Sequence, residues 1–154
     1  MRYLFCVLFV AGFAACLELS SDFDPMLGEV KATRCINEDS DPDADVSFSE
    51  EILPMLMPVP GKVGCGCHMP SQAEPIGIQQ SGLDLSSFAK LKRGGNNSGS
   101  EILVPGDACN SILWQKISPG PPFGARMPFN GPPFLTKDEI RLIADWIVEG
   151  ANDN

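Results

Sequence analysis

This 154-residue sequence has a single histidine, one tyrosine and two tryptophans. One imidazole rules out a histidine pair for acid–base catalysis and any multi-histidine metal site. Basic residues are also scarce, 11 against 20 acidic ones, for a net charge of −9. Such a chain repels nucleic-acid phosphates and anionic lipid head groups and would suit a cationic partner. No internal repeat, phosphate-binding glycine loop or strand-like alternation of useful length is present. What remains is enough chain for one domain, with 44% hydrophobic residues to fill a core. Its 14 prolines and 15 glycines commit much of the fold to loops.

Residues 1–15 read as an export signal. Arg2 is the positive end, residues 3–13 form a short apolar run, and Ala14-Ala15-Cys16 are small. The run falls short of the about 20 residues that span a membrane comfortably. Phe13-Ala14-Ala15-Cys16 also resembles a bacterial lipobox, which would make Cys16 a lipid-modified N-terminus, although leucine is usual where Phe13 stands. Gly12 and Ala14 would serve ordinary signal cleavage instead. The expectation is a periplasmic or cell-envelope protein, held to a membrane by a lipid on Cys16 without inserting into it.

Setting aside Cys6 and Cys16, four cysteines remain: Cys35, Cys65, Cys67 and Cys109. In an oxidising compartment they make either two disulfides or one disulfide and a haem-binding pair. Residues 16–45 are acidic and poor in core formers, and read as a solvated tether with one point, Cys35, stapled back to the domain.

The domain is expected over residues 46–151. Ser47 and Glu50 form a capping-box pattern that opens a short helix through Ile52, Leu53, Leu56 and Met57, interrupted by Pro54 and ended by Pro58. Residues 86–91 and 110–117 read as short helices, and 118–133 as a proline-rich excursion without regular structure. The clearest element is the last. Thr136 and Glu139 make a second capping box, Asp138 complements the helix dipole, and Ile140, Ile143, Trp146 and Ile147 share one face before Gly150 stops the helix. The fold class is mostly α, small, with long Pro/Gly-rich loops.

The lone histidine directly follows a cysteine, in Gly64-Cys65-Gly66-Cys67-His68. A thiol that can form a thioether, beside an imidazole that can ligate iron, is what covalent haem attachment requires. The spacing is one residue shorter than Cys-x-x-Cys-His. Residues two apart on an α-helix are rotated by about 200°, so a regular helical turn cannot aim both sulfurs at one ring. Gly64 and Gly66 relax the backbone. Two arrangements stay open: both cysteines attach through a distorted turn, or only Cys67 attaches.

A sixth iron ligand would come from a methionine. Met69 adjoins His68, Met26 lies in the tether, Met1 leaves with the signal, and Met55 and Met57 sit at core spacing. Met127 remains, in a loop that Pro128 and its neighbours stiffen. Leu83, Leu85, Phe88, Leu113, Trp114 and Ile117 are the expected pocket walls.

The segments Gly82-Leu-Asp-Leu-Ser86, Gly94-Gly95, Val104-Pro-Gly-Asp107, Ser111-Ile-Leu113, Arg126-Met-Pro128, Gly131-Pro-Pro133, Trp146-Ile147 and Glu149-Gly-Ala151 together resemble the planctomycete-type cytochrome c domain. The resemblance covers about residues 46–151 and implies a small cytochrome c-like fold. It also implies one covalent haem c on Cys65 and Cys67, with His68 and Met127 as iron ligands. The implied role is an electron carrier serving a redox partner protein, or a redox domain serving an oxidoreductase, rather than an enzyme. Cys109 occupies a position where the family needs no cysteine, and a Cys35–Cys109 disulfide is the expectation that accompanies the resemblance. Two other readings compete: a haem-free extracellular module with two disulfides, and a metal site of Cys65, Cys67 and His68 that lacks an obvious fourth ligand.

Overall fold

The computed structural model describes residues 35–58 and 64–154. The signal at 1–15, the lipidation at Cys16, Met1 and Met26 lie outside the described residues. Those described belong to one compact unit, Ala32–Asn154. They form five α-helices and no strand: α1 Leu53–Leu56, α2 Ile76–Ser81, α3 Phe88–Arg93, α4 Ile112–Ile117 and α5 Lys137–Val148. Among them no helix is long and apolar enough to cross a membrane. The mostly α reading holds.

The C-terminal helix carries its own start and stop. Thr136 Oγ1 accepts from the Glu139 amide at 3.2 Å while the Glu139 carboxylate accepts from the Thr136 amide at 2.7 Å. At the far end the Ala151 amide donates to Trp146 O and the Gly150 amide to Ile147 O, the paired bonds of a Schellman stop. Ile140, Ile143, Trp146 and Ile147 are buried, as their spacing predicts. Trp146 is 0% exposed and forms a ring cluster with Phe48 and Phe88, with centroids 5.5 and 6.4 Å away. Its indole N–H donates to Asn152 O. Phe88 is therefore a core ring rather than a pocket wall.

At the N-terminal side, Ser47 Oγ accepts from the Glu50 amide, but the carboxylate that returns to the Ser47 amide belongs to Glu51. The Ser47 carbonyl accepts from both the Glu51 and Ile52 amides, so Phe48–Ile52 is a widened turn that runs into α1. This buries Phe48, Ile52 and Leu56. Met57, placed in the core by its spacing, is instead 43% exposed, because the chain turns extended there. Met55 packs partly against the core.

Residues 35–45 fold back onto the domain. The Cys35–Cys109 disulfide is present, with Cα atoms 5.5 Å apart. Beside it Asn37 donates to Asp107 and accepts from the Cys109 amide, and the Asp41 amide donates to the Asp145 carboxylate. Acidic composition assigns this segment to a solvated tether; polar bonds to distant residues anchor it nonetheless.

Candidate functional site

The backbone between Cys65 and Met69 makes a tight turn. His68 N donates to Cys65 O and Met69 N to Gly66 O, both at 2.9 Å, so Gly66–His68 is a 3₁₀-helix. Side chains three residues apart eclipse in that geometry. Cys65 and His68 consequently face the same way and line one cavity, while Cys67 turns aside. Cys67 is exposed and lines a separate concavity with Gln72, Glu74 and Asn130. The structure thus brings one of the two expected thiols to the site, and it is Cys65. Neither Gly64 nor Gly66 takes a left-handed angle. Gly64 provides clearance instead, since a Cβ there would lie 2.7 Å from the Met57 carbonyl oxygen.

The imidazole is held from two sides. Nδ1 lies 3.0 Å from Leu83 O, an orientation in which Nδ1–H donates and Nε2 stays free for a ligand bond. The Leu85 amide donates back to His68 O, so the 83–85 segment fixes both ring and backbone. A Cβ on Gly77 would come within 2.8 Å of Nε2 and Cε1, so only glycine leaves that edge of the ring room. Cys65 is 7% exposed, and burial first, then the neighbouring Cys67, pushes its thiol up to about 11. It stays protonated at neutral pH.

The cavity measures about 250 Å³ and is walled by Leu83, Leu85, Ile102, Leu113, Ile117 and Phe123. Of the expected walls, Phe88 and Trp114 are not part of it; Trp114 packs partly against the core. Met127 closes another side. Met69 is buried in the core and does not line the cavity.

The loop that carries Met127 is held by α4. Lys116 O accepts from the Met127 amide at 2.7 Å, and Lys116 Nζ donates to Phe123 O at 2.9 Å and Ala125 O at 2.5 Å. Arg126 Nε donates to Ile117 O at 2.8 Å, with its guanidinium 4.3 Å over the Phe134 ring. Burial lowers the pKa of both cations. Sequence reading missed Lys116, Gly77 and the Leu83 carbonyl as supports; Arg126-Met127-Pro128 was the only local sign of this clamp.

An oriented imidazole, a thioether and a buried thiol facing an apolar cavity form a donor set that fits a haem. The competing readings lack their requirements among the described residues. Cys65 and Cys67 are free thiols rather than a second disulfide. No three His, Cys, Asp or Glu side chains gather to hold a metal ion there.

No curated protein and no solved structure matches this chain. Residues 65–128 match the family model described as Planctomycete cytochrome C, a span that runs from the cysteine turn through the cavity walls to the methionine loop. The match supports a planctomycete-type cytochrome c domain over these residues, a class that points to haem binding and electron transfer.

Proposed function

We propose that this protein is an extracytoplasmic electron carrier, a c-type cytochrome with one covalently attached haem whose iron His68 and Met127 would hold. One observation carries the reading: the sole histidine and a methionine distant in sequence line the same apolar cavity, with a buried cysteine beside them. Haem bound there would supply a one-electron iron couple, whose potential a methionine sulfur raises. The chain's part is to bind and orient. The Leu83 carbonyl fixes the imidazole, the leucine and isoleucine walls exclude water, and Lys116 holds the methionine loop.

The Cys35–Cys109 disulfide supports an oxidising compartment, in keeping with an export signal at residues 1–15. A lipid on Cys16 would tether the domain to a membrane, and the net negative charge suits a cationic redox partner. Nucleic acid is not a partner in this reading. The only imidazole serves iron, so the protein passes electrons rather than catalysing acid–base chemistry.

The test is the absorption spectrum of the full chain produced in a host with cytochrome c maturation machinery. A strong Soret band and sharp bands on reduction are expected. Colourless protein from that host would overturn the proposal.

A further inference from the structure

We infer that the haem is attached through a single thioether, on Cys65, and that Cys67 remains a free thiol on the outside of the protein. The inference rests on the cytochrome reading and extends it to the bond that the shortened motif leaves in question. The turn geometry carries it. Two backbone hydrogen bonds of the i to i+3 type wind residues 65–69 at three residues per turn, not 3.6. At that pitch residue 65 lies directly beneath residue 68, and residue 67 is turned away by a third of a revolution. The positions agree: Cys65 is buried in the wall that His68 shares, and Cys67 is exposed beside Gln72 and Glu74.

Bringing Cys67 into the cavity would require unwinding this turn. His68 would then move with it, giving up Nδ1 to Leu83 O and the bond from the Leu85 amide to His68 O. Iron ligation and attachment through Cys67 therefore compete for one short backbone segment, whereas ligation and attachment through Cys65 use it as it stands.

The chemistry balances as a simple addition. The Cys65 S–H bond breaks, and a C–S bond forms to the vinyl carbon next to the porphyrin ring. The proton and electron pair complete a C–H bond at the outer vinyl carbon, nothing leaves, and the iron keeps its oxidation state. The second vinyl group stays intact and conjugated.

The test is peptide mapping of the full chain, matured in a competent host, denatured without reduction and alkylated with iodoacetamide. The expected map has haem on Cys65 and a carbamidomethyl group on Cys67. The reduced pyridine adduct should show its α band at longer wavelength than a two-thioether standard, because one vinyl remains conjugated. Cys67→Ser should retain acid-stable haem and Cys65→Ser should lose it. If Cys65→Ser does not accumulate, the wild-type map and the α band decide alone. Haem on Cys67, or neither thiol open to alkylation together with a two-thioether α band, would overturn the single attachment and leave the cytochrome reading standing. Haem-free wild-type protein would overturn both.

Discussion

The C-terminal helix and the methionine loop hold their shapes by opposite means. In α5 nearly every device is local: a capping box, an apolar face at helical spacing, and a glycine stop, all within Thr136 to Ala151. The loop from Ser118 to Leu135 has no regular structure and is tied to α4 instead, where Lys116 reaches the Phe123 and Ala125 carbonyls and the loop's own Arg126 reaches back to the Ile117 carbonyl. The helix should therefore govern stability with little influence on the cavity that His68 and Met127 line. The loop should govern ligation with less influence on stability.

The largest effect expected is from Trp146→Ala, which empties the centre of the Phe48–Phe88–Trp146 cluster. It should cost about 3–5 kcal/mol. Denaturant titration reads this, and a loss below about 1 kcal/mol would mean that the tryptophan is not the core anchor. Lys116→Met should come next, at about 1–2 kcal/mol for bonds that are partly open to solvent. Its more telling consequence is spectroscopic: the sulfur-to-iron signature of Met127 should weaken, and Lys116→Arg should restore part of it. An unaltered signature in Lys116→Met would separate the clamp from ligation. Thr136→Ala should cost about 1 kcal/mol by removing the helix cap, with no spectral change.

Acid titration gives the smallest effect. Hydrogen bonds from Asn37 and then Asn110 hold the Asp107 carboxyl below the usual carboxylate range. At Asp84 burial works upward, but the hydrogen bonds from Lys90 and Ser86 outweigh it and the net direction is again down. A carboxylate depressed on folding adds stability that is complete above the ordinary carboxylate range and is lost as pH falls through its folded value. Stability should therefore be level near neutrality and fall only in acid. Asp107→Asn should flatten that fall, as read by denaturation midpoints at several pH values.

The contrast between helix and loop also explains what was legible in the sequence. Local rules placed α5 with its cap and stop, and residue chemistry singled out His68 and Met127. The two-residue spacing bars both cysteine sulfurs from one ring in a regular α-helical turn, and leaves open whether both attach through a distorted turn or Cys67 alone does. The 3₁₀ pitch at Gly66–His68 puts Cys65 in the cavity with His68 and turns Cys67 outward, and the spacing of the two cysteines carries no sign of that pitch. Met57 failed for a related reason: helical spacing was extended past the point where the chain leaves the helix. Asn37 and Asp41 bond to residues far along the chain, and acidic composition carries no sign of such partners. Lys116 was hidden likewise, because its role appears only once Phe123 and Ala125 are folded beside it.

The weak sulfur-to-iron charge-transfer band of the oxidised protein, compared between wild type and Met127→Ala, tests most directly whether the cavity is a His/Met haem site. The band should be present in the wild type and absent in the variant, whose reduction potential should also be lower. A band and a potential that both survive the substitution would contradict Met127 as an iron ligand.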